Sequence, residues 1–293
     1  MTILQKIRRK IRNCLAARRD RALMAAHGQE FFNLGQISPI ISRNRTTLSG
    51  VPNWIDPKVY EDSIFQYGLP SELIPLIDRP LNSETTYTDA ICFLMTQLSQ
   101  PVRYLELGVS VGKNFFQVAN FLSNSSVTGF DIEEINPILE TRLSGKTVDS
   151  RWATATASMK KAESSLTSYT LGTNRVRYLS GDIFDENSWA RLAGEKFNVV
   201  FSDAFHSPEA LRFEYEMIKR YKLLDSGQFI MMWDDLGGDM TVEFLRIFRD
   251  MQAAHGLSKG NLALNSYRGW MGEYVRKHTI GIIHRLDTPT SVN

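Results

Sequence analysis

Hydrophobic and polar residues follow a regular pattern from about residue 83 onward. Short apolar runs predict strands at Arg103–Leu107, Val127–Phe130, Arg175–Leu179, Asn198–Ser202, Gln228–Trp233 and His278–His284. Apolar residues at helical spacing predict helices at Glu84–Leu98, Asn114–Leu122, Pro208–Tyr221 and Met240–Ala254. Because strands and helices alternate, residues 83–293 are expected to form one α/β domain with a doubly wound, mainly parallel sheet and helices on both faces.

Two segments do not fit this regular pattern. Residues 1–82 are expected to be an N-terminal extension, with an amphipathic helix at 3–26 and an irregular stretch at 33–82 that covers an active site. An insertion at about 136–173 is rich in Ser, Thr and Ala, and its Ala153–Ser168 part is expected to be helical. These two regions are expected to form the pocket for a second substrate.

The distribution of charge separates the N-terminal helix from the rest of the chain. The net charge is +2, yet residues 1–21 contain eight Lys or Arg and one acid, so the remaining chain is mildly acidic. An acidic body argues against nucleic-acid binding, which normally needs basic residues across the folded surface. The basic helix fits an anionic membrane surface, or else an arm on a partner subunit or on the body. We expect a cytoplasmic protein, peripheral at the inner membrane face if the first alternative holds; a homo-oligomer also stays open.

A glycine-containing loop follows the first predicted strand and leads directly into a helix. The segment reads Glu106-Leu107-Gly108-Val109-Ser110-Val111-Gly112, and Asp131 ends the second predicted strand. Glycines allow a sharp turn and close approach to a ligand, and an acid at the end of the second strand is placed to bind ribose hydroxyls. Asp182, after the third strand, is a candidate acceptor for an adenine amino group. This unit predicts a Rossmann-like nucleoside site.

Two kinds of cofactor use this geometry, and the loop distinguishes between them. A dinucleotide site needs G-x-G-x-x-G so that a pyrophosphate lies on the helix N-terminus, but Ser110 occupies the second glycine position. The acid Glu106 repels phosphate and suits the cationic methionine end of S-adenosylmethionine. The loop therefore predicts S-adenosylmethionine as the cofactor, and a dehydrogenase is the less favoured alternative.

Acidic residues also follow the fourth and fifth predicted strands. Asp203 and His206 come after the fourth strand, and Asp234 and Asp235 come after the fifth. The carboxyl ends of neighbouring parallel strands face one crevice, where three carboxylates would bind Mg²⁺, with Mn²⁺ or Ca²⁺ as alternatives. His206 is a candidate base, because an imidazole titrates near neutral pH. Asp239, His255, His278 and His284 are interpreted as structural or surface residues.

These motifs together resemble a known family of class I methyltransferases. Glu106–Gly112, Asp131, Asp203-x-x-His206 and Asp234-Asp235 are similar to the metal-dependent sugar O-methyltransferases of macrolide biosynthesis, the mycinamicin and macrocin enzymes and their cephalosporin-hydroxylase-like relatives. The resemblance, over about 84–286, implies that Asp203, Asp234 and Asp235 bind Mg²⁺. It further implies that His206 acts as the base and that Asp131 and Asp182 contact the nucleoside.

The expected activity is O-methylation of a hydroxyl on a sugar, in a glycan or a glycosylated small molecule. One alternative is methylation of a catechol-like diol or another small molecule, which would need a small aromatic pocket and a lysine base. An alternative of another class is a non-catalytic interaction module at a membrane surface, which would be expected to lack one of the strand-end acids. All three acids are present.

Overall fold

The computed structural model describes residues 3–49, 84–110, 112–144, 165–269 and 277–286. The helices of eight residues or more are α1 (Ile3–His27), α2 (Leu34–Ser49), α3 (Tyr87–Met95), α4 (Lys113–Phe121), α5 (Pro137–Ser144), α7 (Pro208–Arg220) and α8 (Asp239–His255), and α6 (Glu186–Ala190) is shorter. The strands are β1 (Arg103–Leu107), β2 (Ser126–Asp131), β3 (Ser165–Leu171), β4 (Asn174–Ser180), β5 (Val199–Ser202), β6 (Phe229–Trp233), β7 (Leu262–Arg268) and β8 (Lys277–Arg285). Within these ranges, no helix is long and apolar enough to span a membrane.

The eight strands form one sheet with the order β3-β4-β2-β1-β5-β6-β8-β7. The five central strands, β4-β2-β1-β5-β6, are parallel to one another. At the two ends of the sheet, β3 is antiparallel to β4, and β8 is antiparallel to both β6 and β7. The chain winds outward in both directions from β1 and β5, which is the doubly wound, mainly parallel arrangement that the sequence predicts.

Alternate residues of each central strand face opposite sides of the sheet, as the strand period of two requires. Tyr104, Phe201 and Met232 pack into one core with α2, α3, α4 and α5. Leu105, Val200 and Met231 pack into a second core with α6, α7 and α8. The helices therefore cover both faces, as predicted, and the Rossmann-like fold is confirmed.

Local signals set where several of these helices begin and end. Thr86 and Asp89 form a capping box at the start of α3, and the Ser207 side chain caps α7 with Pro208 in the first helical turn. Helix α8 ends at His255, and the next residue, Gly256, has the left-handed backbone that commonly ends a helix. These signals fix the starts of α3 and α7 and the end of α8.

Two sequence-based expectations need correction, and one strand of the sheet was not predicted. Residues 34–49 form helix α2 rather than an irregular lead-in, because Ile37, Ile40 and Ile41 pack into the first core. Residues 165–168 form part of β3 rather than a helix, because they pair with β4 across a hairpin turn that contains Gly172. Strand β7 had no predicted counterpart. The rest of the expected lead-in, 50–82, and residues 153–164 of the expected helix lie outside the described residues.

Candidate functional site

The candidate site lies at the carboxyl ends of the parallel strands, where β1 and β5 are neighbours. The strand order reverses between these two strands, and this reversal opens the crevice that binds ligands in doubly wound sheets. Gly108, after β1, has φ +79°, and a Cβ there would lie 2.4 Å from the Asp203 carbonyl oxygen. The loop after β1 thus packs directly against the loop after β5, and only glycine fits the contact.

Glu106, on β1, is buried in a small polar network at this edge. The Tyr104 hydroxyl and the Asn114 amide each donate a hydrogen bond to Glu106 Oε2, at 2.7 and 2.8 Å. Burial raises the pKa of Glu106 well above its usual range, and the charges of Asp203 and Asp131 add to the rise, whereas the Tyr104 and Asn114 bonds oppose it. A cation bound beside Glu106 would offset this cost, which is the chemistry that the amino group or sulfonium of S-adenosylmethionine offers.

Asp131, the last residue of β2, holds the loop after β1 in place. Its carboxylate accepts hydrogen bonds from the backbone N–H of Ser110 at 2.7 Å and of Glu133 at 3.0 Å. Burial raises the pKa of Asp131, and these backbone bonds oppose the rise. The backbone N–H groups of Val109 and Ile132 also lower the pKa of Asp131, so a network of backbone donors favours the ionised carboxylate.

The other predicted cofactor residues lie around Glu106 and Asp131. Gly112, the residue before α4, has φ +83° and lies against Leu139, and Ser110 has φ +52°, which is unusual for a residue with a side chain. Asp182 follows β4, and the N–H of its neighbour Gly181 donates to the Asp131 carbonyl at 2.7 Å. The structure therefore brings the predicted nucleoside residues to one edge of the sheet.

Asp203 and His206 lie on the loop after β5 and contact each other. His206 Nε2 is 3.1 Å from Asp203 Oδ1, and the Tyr87 hydroxyl approaches Asp203 Oδ2 at 3.5 Å. Burial lowers the pKa of His206, but the bond to Asp203 and the charges of the three aspartates outweigh it and raise the pKa to about 9. The sequence suggested an ordinary histidine pKa near neutrality; the surrounding acids favour the protonated imidazole unless another cation offsets their charge.

Asp234 and Asp235 lie after β6, where His278 of β8 contacts both. His278 Nδ1 is 2.8 Å from Asp234 Oδ2 and 3.2 Å from Asp235 Oδ1. Burial and the charge of Asp203 raise the pKa of Asp234 to about 7, and the His278 contact opposes that rise. Burial lowers the pKa of His278, but its two carboxylate partners raise it to about 10. Repulsion between acids is thus partly balanced by a histidine that the sequence interpretation had left as structural.

The geometry of the acids and histidines fits a divalent cation. Within the described ranges, two groups of side chains place their ligand atoms within 4.8 Å of one another: Asp203, His206 and Asp234, and then Asp234, Asp235 and His278. Asp234 belongs to both, and neither group contains Asp203 together with Asp235. Carboxylate oxygens are the ligands that Mg²⁺ prefers, with Mn²⁺ also accepting imidazole. The structure thus places the three predicted acids at one edge with Asp234 at the centre.

Exposed aromatic side chains lie at the same edge. Phe205, between Asp203 and His206, is 61% exposed, and Phe184, near Asp182, is 45% exposed. The two rings contact each other edge to face with centroids 5.9 Å apart, and Phe184 also contacts Phe213. Large exposed apolar groups beside a polar cluster often mark a binding surface.

Sequence reasoning missed two residues of this site, Tyr87 and His278. Tyr87 is buried where α3 begins, and its ring contacts Phe201 and His278. His278 lies on a strand whose direction was not predicted. Because β8 is antiparallel to β6, the start of β8 lies beside the end of β6. An antiparallel assignment of that last strand would have placed His278 beside Asp234 and Asp235.

The chain matches no protein-family model and no curated protein sequence. It is similar to solved structures that include MycE methyltransferase from the mycinamycin biosynthetic pathway, in complex with Mg, SAH and mycinamycin VI (16% identity, TM-score 0.35, 64% of this chain and 41% of that one). It is similar to an O-methyltransferase from Bacillus cereus in complex with SAH (15% identity, TM-score 0.41, 79% of this chain and 92% of that one). TomG, an O-methyltransferase from Streptomyces achromogenes involved in tomaymycin synthesis, is also similar (17% identity, TM-score 0.37, 78% of this chain and 90% of that one). The chain spans about half the length of the MycE chains, 41% and 55%.

Proposed function

We propose that this chain is an S-adenosylmethionine-dependent O-methyltransferase, and that it methylates a sugar hydroxyl with the help of Mg²⁺. The observation that carries the proposal is the meeting of two half-sites at Gly108. The loop after β1, which follows Glu106 and is held by Asp131, touches the loop after β5, which contains Asp203 and His206. A methyl donor bound by the first loop would therefore lie beside a metal and a base on the second.

The cofactor half-site supports S-adenosylmethionine rather than a dinucleotide. Glu106 is a buried acid whose ionised form needs a cationic neighbour, and a pyrophosphate would instead add negative charge to this cluster of acids. Asp131 would bind the ribose hydroxyls, and Asp182 would lie beside the adenine amino group. Gly108 and Gly112, both with positive φ, allow the sharp turns of the loop between β1 and α4.

The chemical step needs in-line positioning and removal of one proton. As the acceptor oxygen forms a bond to the methyl carbon, the bond from that carbon to sulfur breaks and its electron pair stays on sulfur. The hydroxyl proton passes to the unprotonated His206 imidazole. A divalent cation held by Asp203, Asp234 and Asp235 would supply positive charge that lowers the pKa of the acceptor hydroxyl. The same charge favours the neutral form of His206, which a base requires.

A sugar acceptor is the finer part of the proposal. It rests on the resemblance of Asp203-x-x-His206 and Asp234-Asp235 to the macrolide-sugar enzymes, and on the exposed Phe184 and Phe205 rings, which offer an apolar surface beside the base. A catechol-like acceptor is the second candidate. In either case we place the protein in the cytoplasm, with the basic helix α1 available for peripheral contact with an anionic membrane.

Direct detection of methyl transfer tests the activity. The protein is incubated with S-adenosylmethionine and Mg²⁺, once with a surface-glycan extract and once with a catechol, and products are measured by mass spectrometry. A methylated sugar together with S-adenosylhomocysteine supports the proposal, and EDTA should abolish both. Methylation of the catechol alone would replace the sugar by the second candidate. Calorimetry that shows NAD binding and no S-adenosylmethionine binding would contradict the activity itself.

Two histidine variants test the base. His206→Ala should keep its affinity for S-adenosylmethionine and lose turnover by about 10²- to 10⁴-fold, the usual contribution of a general base. His255→Ala is the matched control, since His255 packs on Phe229 at the far end of α8 and should retain activity. Full turnover in His206→Ala would remove His206 from its role.

A further inference from the structure

The loop after β6 joins the two acids to helix α8, and we call residues 234–238 the acid loop. Its backbone is unusual, with φ +51° at Asp235 and φ +58° at Gly238. Asp234 N–H donates to the Ser202 carbonyl of β5, and Leu236 N–H donates to the Thr279 carbonyl of β8, both at 2.9 Å. The first half of the loop is therefore held by the sheet.

The two halves of the acid loop differ in how they pack. Leu236 is buried against Gly281, where an added Cβ would lie 2.3 Å from the leucine side chain. At Gly237 and Gly238, in contrast, an added Cβ would have no atom within 4 Å. The second half thus consists of two glycines in open space, and packing contributes little to fixing their backbone.

A carboxylate from the N-terminal extension contacts this open half. Asp20, on α1, accepts a hydrogen bond from Gly238 N–H at 2.9 Å. Gly238 is the residue that precedes α8, and it has no side chain with which to cap the helix. Asp20 therefore binds the backbone N–H that precedes α8 from a position 218 residues away in sequence, and its negative charge suits the positive end of the helix.

Helix α1 is fixed well enough to hold Asp20 there. The Thr279 hydroxyl donates to the Met24 sulfur at 3.7 Å, so Thr279 contacts both α1 and the acid loop. Just beyond the helix, Gln29 Nε2 donates to the carbonyls of Gly260 and Leu262, and Gln29 and Asn265 exchange two further bonds. The C-terminal half of α1 is thus attached to β7 and β8, next to His278.

We propose that Asp20 is a positioning residue for the metal site: its bond to Gly238 fixes the open half of the acid loop, and with it the position of Asp235 beside Asp234 and His278. This inference rests on the proposed function, since it takes those acids as metal ligands. It makes the basic N-terminal helix part of the catalytic unit. A site built only from residues 83–293 would have the same acids in a looser loop.

Three variants of the full chain test the role of Asp20. Asp20→Ala removes the acceptor. Asp20→Asn keeps a side-chain oxygen, and Asn is as good a helix cap as Asp, so it should restore the loop. Arg21→Ala is the matched control, because Arg21 is exposed and its Nε donates within α1, to the Ala17 carbonyl. Mn²⁺ binding is measured by electron paramagnetic resonance, S-adenosylmethionine binding by calorimetry, and kcat and KM by product formation.

Asp20→Ala should weaken Mn²⁺ binding by about tenfold or more, the usual effect of losing a residue that orients metal ligands. Its kcat at subsaturating metal should fall by a similar factor, while the KM and affinity for S-adenosylmethionine stay unchanged. Intact cofactor binding shows that the variant is folded. Asp20→Asn and Arg21→Ala should both bind Mn²⁺ like the parent protein.

Two results would overturn the inference while leaving the proposed function intact. One is Mn²⁺ binding of parental strength in Asp20→Ala, and the other is an Asp20→Asn variant as impaired as Asp20→Ala. If the parent protein itself binds no Mn²⁺, the metal part of the proposed function fails, and the role of Asp20 toward the metal fails with it.

Discussion

At the scale of single residues, Gly108 carries the most structural information in the candidate site. Its positive φ and its contact with the Asp203 backbone are separate demands, and both exclude a side chain. The sequence analysis explained this glycine by the close approach of a ligand. The structure shows that the backbone of the loop after β5 also lies close to it. That second demand could not be predicted, because it depends on β1 and β5 being neighbours although they lie far apart in sequence.

Gly108→Ala should destabilise the protein and disturb the site, whereas Gly194→Ala should only destabilise it. Gly194 has φ +87° with no atom within 4 Å of an added Cβ, so it reports the backbone cost alone, about 1–2 kcal/mol. Gly108→Ala should cost more, because its Cβ must also displace the Asp203 backbone. Urea unfolding and S-adenosylmethionine calorimetry measure the two effects. Equal stability losses with equal cofactor affinity would contradict the close contact.

Glu214, on α7, makes stability depend on pH. Burial raises the pKa of Glu214 to about 7, against a bond from Trp233 Nε1 that lowers it. A carboxyl whose folded pKa lies above its unfolded value holds its proton better in the folded state. Its contribution is therefore complete below the unfolded pKa and is lost as pH rises through the folded pKa.

Glu214→Gln, which is neutral at every pH, should have a stability close to that of the parent near pH 5. It should become more stable than the parent by about 3 kcal/mol near pH 8.5, the free energy equivalent of the shift. Urea unfolding at the two pH values measures the difference, in which other titrating groups cancel. A difference that is the same at both pH values would show that Glu214 does not titrate with a raised pKa.

At the scale of helices and strands, sequence patterns located elements that pack mainly through their own apolar residues. Strands β1, β5 and β6 are short runs of apolar residues, and their predicted bounds differ from the observed ones by at most one residue. Helix α2 was not predicted, because it contains Pro39 and several polar residues, and its stability comes from distant partners. Strand β3 exists through its pairing with β4, which local composition does not encode.

The docking of α2 on α3 depends on a buried polar contact that can be tested. Asn44 Nδ2 donates to Asp89 Oδ1 at 2.7 Å, and Arg45 pairs with the same carboxylate. Asn44→Ala should cost about 2 kcal/mol in urea unfolding, since a hydrogen bond to a charged group is lost in the core. Thr46→Ala, on the exposed side of α2, should change stability by less than about 0.5 kcal/mol. Similar values for both variants would contradict this account of α2.

At the scale of the whole molecule, the candidate site is assembled from segments spread along nearly the whole chain. The sequence predicted the carboxyl edge as the place where the acids meet, because in parallel sheets that edge is shared by all the strands. It did not predict His278 or Asp20, because one reaches the site on an antiparallel strand and the other from the N-terminal extension. Residues outside the regular βα alternation leave no spacing pattern by which to find them.

The proposed metal site brings three acids from separate strands to one edge, so we expect cation binding and folding to be coupled. Mg²⁺ bound only by the folded chain should stabilise it by about 2.7 kcal/mol at a hundredfold excess over the dissociation constant, and EDTA should reverse the gain. Asp203→Asn should lose this gain, because it removes one charge from the cluster. Asp239→Asn is the matched control, since Asp239 lies at the same edge with its side chain 90% exposed and lies in neither cluster of acids and histidines. Thermal unfolding with and without Mg²⁺ measures the gain, and an equal gain in both variants would move the cation away from Asp203.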